Sequence, residues 1–214
     1  MTPTKQLVSK MNDYQKEQLD TVSVVKTGLS RMGEVGRREL MVCIDSYMAF
    51  RKTVDEFLSS HFRDICTETC FASQTSACCG KDSIITFFAD TVVNALAATP
   101  NQLDLLEHVL LSENTGHRCV YLSPDGCVWT VRPIVCAMFL CDRAMEAVFS
   151  QWPEAKTQWN DLRCREKDFK WPDQPVLFDH LEKVFLNLGL RSSLMHLNFS
   201  PGLLNVKRKA GLLL

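Results

Sequence analysis

The sequence predicts a mainly α, single-domain protein whose cysteines sit on loops, with at most one small β-hairpin. Three observations carry this. Apolar residues recur at three- and four-residue steps over several stretches. Glycine and proline punctuate the chain between those stretches. Strand signals reduce to one short segment around Ser123-Pro124-Asp125-Gly126.

At 214 residues the chain is long enough for one domain with an ample core. Three regions are expected: N-terminal helices over 1–62, a cysteine-cluster metal-binding region over 63–150, and C-terminal helices with a tail over 151–214. In the first, Leu7, Met11, Leu19, Val22 and Val25 trace an amphipathic helix over 4–27. Gly28, Gly33 and Gly36 are expected to break it. From Arg37 to Phe62, Leu40, Ile44, Tyr47, Val54, Leu58 and Phe62 mark one face of a second helix, with Cys43 a packing thiol on it.

Residues 67–80 read as a loop or broken helical turn. Ser83–Ala98 reads as a buried helix with Asp82 as N-cap, and Asn101–Leu111 as a helix after Thr99-Pro100. Cys119–Trp129 suits a hairpin. Pro133 starts a helix expected to reach Ser150, and Trp152-Pro153 one to Cys164, whose thiol is expected at the surface. Pro175 opens a helix to Leu188, and the tail after Gly189 either docks or stays loose.

Composition excludes several classes. A net charge of −1 gives no global field for nucleic acid, and Lys207-Arg208-Lys209 reads as a solvated tail. The longest apolar runs, near 84–88 and 134–140, fall far short of the ~20 residues that span a bilayer, so no membrane insertion is expected. The first residues lack the apolar core of a secretory signal, which predicts a cytoplasmic, reducing location without structural disulfides.

Eight of the ten cysteines, Cys66, Cys70, Cys78, Cys79, Cys119, Cys127, Cys136 and Cys141, fall in two bursts. Clustered thiols in a reducing compartment point to metal ligation or redox chemistry. Cys66 and Cys70 share one face of a helical turn, whereas Cys136 and Cys141, five apart on a helix, align less well. Adjacent side chains such as Cys78 and Cys79 diverge in a helix or a strand, which suits two metals or a multi-metal cluster. Eight thiolates on one divalent ion would bury about six uncompensated charges. Zinc and an iron–sulfur cluster both suit thiolates. Arg132 either donates to sulfur in an outer shell or pairs a nearby carboxylate. His117 is expected to be solvated, and His61, His108, His180 and His196 have no site-like spacing.

The order Cys66-x3-Cys70-x7-Cys78-Cys79, then Cys119-x-x-Leu122, Gly126-Cys127-x-Trp129 and Arg132-Pro133-x-x-Cys136-x-x-Phe139, resembles the YkgJ-like cysteine-cluster (CxxCxxCC) family of zinc- or iron-chelating domains. The likeness covers roughly residues 60–150. The first half carries gaps of three and seven where the family has two, and Trp129 stands where tyrosine is common. The resemblance implies zinc or iron–sulfur binding, and by analogy with flagellin lysine methylases it makes methyl transfer conceivable. No glycine-rich nucleotide loop, Gly-x-Ser-x-Gly or His-Glu-x-x-His motif is present.

Four functions compete on these grounds. The first is a metal-binding protein holding an iron–sulfur cluster or zinc. The others are a metal-dependent enzyme transferring electrons or methyl groups, a metal-free thiol-redox sensor, and a structural domain whose cysteines only pack.

Overall fold

The computed structural model describes residues 11–74, 78–81, 84–114 and 116–213. Among them the chain is mainly α, with nine α-helices and one two-stranded antiparallel sheet.

Asn12 starts helix α1 (Asp13–Phe62) with a reciprocal cap. Its side chain accepts from the Gln15 N–H at 2.8 Å, and the Gln15 side chain accepts from the Asn12 N–H at 3.3 Å. Of the three glycines expected to break the chain, only Gly33 does so. At φ 65°, ψ −165° it leaves the helix and joins two helical stretches at a kink. Gly28 stays helical for another reason: a Cβ there would lie 2.2 Å from a ring carbon of Phe185. It marks a close helix crossing, not a stop. Residues 4–10 of the expected first helix, and the expected cap Asp82, lie outside the described residues.

The predicted face of α1 is buried at Leu40, Ile44, Tyr47, Val54 and Phe62. Cys43 is a correction: it is exposed, beside that stripe and not part of the buried face.

A π-helix, Arg63–Phe71, continues directly from α1 where a loop or broken turn was expected. The Ala72 N–H reaches the Thr67 carbonyl at 3.1 Å, five residues back, the widened repeat of such turns. Next come α2 (Phe88–Ala97), α3 (Pro100–Leu111), β1 (Leu122–Ser123) and β2 (Gly126–Cys127). The helix expected from Ser83 thus starts only at Phe88, after residues 84–87, which form no regular element. Thr99 caps α3 in a box with Gln102, with Pro100 in the first turn.

The single helix expected from Pro133 to Ser150 is two: α4 (Ile134–Ala137) and α5 (Asp142–Phe149). Met138 leaves helical geometry, and Arg163 donates to its freed carbonyl at 3.1 Å. The break turns Leu140 inward and places Cys141, extended, at the start of α5. Then follow α6 (Pro153–Lys170), six residues longer than expected, α7 (Leu177–Asn187), α8 (His196–Phe199) and α9 (Pro201–Lys209).

The core is mostly one cluster that draws on all three expected regions, from Val25 to Leu197. Aromatic rings dominate it. Tyr47 meets Phe169 and Phe178 edge-on at 5.2 and 5.5 Å, and Phe57 stacks on Trp159 at 5.6 Å. A smaller cluster joins Val22, Leu106 and Leu110 to Tyr121 and Trp129 of the hairpin region. The tail docks: Leu194, Met195 and Leu197 are buried, and Lys207 of α9 enters the interior to pair with Asp179 at 2.6 Å. No described helix is long and apolar enough to cross a membrane.

Candidate metal centre

Helices α1 and α2 fix the second cysteine burst through its backbone. Asp90 and Asn94, one turn apart on α2, reach out from an otherwise apolar helix. Asp90 accepts from the Phe87 and Ile134 N–H groups, each at 2.9 Å. Asn94 accepts from the Val131 N–H at 3.0 Å. From α1, the buried Arg51 donates to the Arg132 carbonyl at 2.6 Å. Three anchoring bonds, at Val131, Arg132 and Ile134, therefore hold the chain between Cys127 and Cys136, and the three side chains that make them are buried. Sequence reading missed all three anchors. The signal was there for two of them, because Asp90 and Asn94 are polar residues at helical spacing inside an apolar run.

The two bursts meet through main chain. The Cys119 N–H donates to the Cys79 carbonyl at 2.7 Å, and the Lys81 N–H to the His117 carbonyl at 2.9 Å. Gly80 and Arg118 form an antiparallel bridge, and the Arg118 guanidinium donates to the Gln74 carbonyl at 2.5 Å. The hairpin closes as expected, with Ser123 opposite Gly126 and the Ser123 hydroxyl donating to the Gly126 carbonyl at 2.8 Å. Gly126, at φ 114°, takes a conformation open to glycine and strained for other residues.

The thiols influence one another strongly. Burial first, then the neighbouring Cys78, Cys141 and Cys70, push Cys66 up to about 11 against the opposing charge of Arg132. Burial, then Cys127 and Cys136, raise Cys119 to about 12 despite N–H groups from Tyr121 and Leu122. Burial, then Asp90 and Cys127, raise Cys136 to about 11. Cys127 reaches the surface, yet the atoms packed round its sulfur still raise it.

Cys78 and Cys79 correct the sequence reading. Their side chains do not diverge; the Cys78 thiol donates to Cys79, which raises Cys78 and lowers Cys79. The chain there is a turn and a bend, so the fixed angle between neighbours in helix or strand does not apply. The charge neighbours fall into two sets joined at this pair: Cys66, Cys70, Cys78 and Cys141 on one side, and Cys79, Cys119, Cys127 and Cys136 on the other. Packing divides them likewise, since Cys66 and Cys141 lie against the main core and Cys119 against the smaller one.

Arg132 takes the carboxylate-pairing reading, and its charge also reaches the thiols. It pairs with Asp55 at 3.3 Å, and its charge favours the thiolates of Cys66, Cys78, Cys127 and Cys136. His117 is exposed, as expected. Cys43 and Cys164 are exposed on α1 and α6, away from the bursts in sequence.

As they stand, no three His, Cys, Asp or Glu side chains among the described residues are drawn together as a closed ligand set. The donor chemistry nevertheless fits a soft metal: eight thiols from two segments, with Cys66, Cys78, Cys119, Cys127 and Cys136 raised and one guanidinium nearby. A bound cation would relieve that mutual repulsion as the thiols give up their protons. Compared with protein-family models, curated proteins and solved structures, the chain matches none.

Proposed function

We propose that this protein binds metal through the eight cysteines of the two bursts, as zinc or as an iron–sulfur cluster. The observation that carries the reading is the junction of the bursts, where the Cys119 N–H meets the Cys79 carbonyl at 2.7 Å. Thiols separated by some forty residues of sequence thereby share one neighbourhood. The set of Cys79, Cys119, Cys127 and Cys136 and the set of Cys66, Cys70, Cys78 and Cys141 each offer the tetrathiolate donor number of a structural zinc site or a cubane cluster. The likeness of the Cys119–Phe139 stretch to the YkgJ-like cysteine-cluster domains supports the same chemistry.

Anaerobic purification followed by elemental analysis tests it. The expected result is zinc or iron in stoichiometric amount, lost in Cys79→Ser and Cys119→Ser and kept in Cys43→Ser. Protein free of both metals overturns it.

One contact favours a second reading, a thiol-redox sensor. The Cys78 and Cys79 sulfurs touch, and a hydrogen-bonded thiol pair with one depressed partner suits oxidation. Under that reading the protein is metal-free, and a mild two-electron oxidant removes two titratable thiols reversibly.

A further inference from the structure

Apart from the thiols, a groove opens along α1 that no cysteine lines. It has a volume of about 510 Å³ and runs below the Thr130–Val131 backbone, and its walls include Met48, Arg51, Lys52, Asp55, Glu56 and Val131. Its charges are unevenly matched. Asp55 is held by Arg132 at 3.3 Å, and Lys52 lies 3.8 Å from Glu56. Arg51 is different. It is 3% exposed, and its Nη1 donates to two neutral groups, the Tyr47 hydroxyl at 3.0 Å and the Arg132 carbonyl at 2.6 Å. Its Nε is buried with no acceptor, the only such cationic nitrogen among the described residues.

No described carboxylate lies within ion-pair distance of Arg51. Asp90 feels its charge across the core, but both Asp90 oxygens are committed to backbone N–H groups. A buried guanidinium with a spare donor and only a remote counter-charge is costly unless an anion completes it. A planar fork of N–H groups suits a carboxylate.

We infer that this groove binds a small monocarboxylate, its carboxylate turned to Arg51 and its apolar body laid on Met48 and Val131. The lining favours one negative charge and no more. Once Asp55 and Glu56 are paired, one positive charge is left over, and those same carboxylates repel a dianion such as phosphate. Ser59, Ser60 and Thr130 line the same walls and carry hydroxyls suited to a polar substituent. The inference does not depend on metal, because every group named belongs to α1 or to backbone anchored by α1 and α2.

The test is titration of the isotope-labelled full chain, with and without metal, using butyrate, its neutral analogue butyramide, and inorganic phosphate. Butyrate is expected to shift the amide signals of Ser59, Ser60, Thr130 and Val131 saturably, with butyramide and phosphate each about tenfold weaker or more. Arg51→Met is expected to abolish saturation. Because Arg51 is buried and that variant can unfold, the exposed Ser59→Asp serves as the second arm. It adds a negative charge to the wall and is expected to weaken butyrate several-fold while leaving circular dichroism unchanged. Equal binding of the amide, tighter binding of phosphate, no saturation with butyrate, or indifference to Ser59→Asp in a folded protein each overturns the inference.

Discussion

Around Tyr47 the protein is held by rings. Phe50, Phe169 and Phe178 lie within 6.4 Å of it, centroid to centroid, and every one belongs to a long helix or its flank. Around Cys127 the rings are fewer: Tyr121 meets Trp129 edge-on at 5.4 Å and Tyr14 at 6.3 Å. The cysteine-bearing segments consist of a π-helix, two strands of two residues each, and a helix of four residues. Their regular elements are short, and their backbone is positioned by Asp90, Asn94 and Arg51. The contrast teaches that the helical body is held by burial in long helices, whereas the cysteine region is short irregular chain that the proposed metal would bind together.

The largest effect expected from this contrast follows metal removal. Chelation should strip hydrogen-exchange protection from residues 63–74 and 116–141 by orders of magnitude while α1 and α6–α9 keep theirs, read by exchange mass spectrometry. Uniform loss across the chain would break the comparison.

A core truncation should do the reverse. Phe178→Ala removes a fully buried ring and should cost about 3–5 kcal/mol in denaturant unfolding, with the metal-to-protein ratio unchanged in the folded fraction.

A smaller effect concerns pH. Glu182 is buried and pushed up to about 7, burial outweighing the N–H groups of Asn198 and Leu197. A raised carboxyl binds its proton more tightly in the folded state, so its contribution is greatest at low pH and is lost as pH climbs toward 7. Wild-type stability should therefore fall between pH 4.5 and 7, with Asp90, raised to about 6 by burial, adding in the same sense. In Glu182→Gln that decline should shrink by about 2–3 kcal/mol, measured by urea unfolding at stepped pH.

The smallest effect is expected at the two outlying thiols. Cys43→Ser and Cys164→Ser, both at exposed positions, should change stability by no more than about 0.5 kcal/mol and leave metal content intact.

The helical body was legible because a buried face at 3.6-residue spacing leaves a trace in sequence. Leu40, Ile44, Tyr47, Val54 and Phe62 are buried as their spacing predicts. The hairpin was legible too, because Pro124, Asp125 and Gly126 demand a turn. What the sequence hid depended on tertiary partners. Gly28 looks like a helix breaker until Phe185 is seen against it, and of Gly28, Gly33 and Gly36 only Gly33 takes a positive φ. The break at Met138 needs Arg163, twenty-five residues on, to satisfy a carbonyl. The cysteines announced themselves by number and grouping, but their division into two sets joined at Cys78–Cys79 could not be read from spacing. It follows from how Asp90, Asn94 and the Gly80–Arg118 bridge arrange irregular chain.

The most direct test of the metal reading is X-ray absorption at the zinc or iron edge on anaerobically prepared protein. A first shell of sulfur alone at about 2.3 Å is the predicted result. A shell of nitrogen and oxygen, or an edge signal no stronger than buffer, would contradict it.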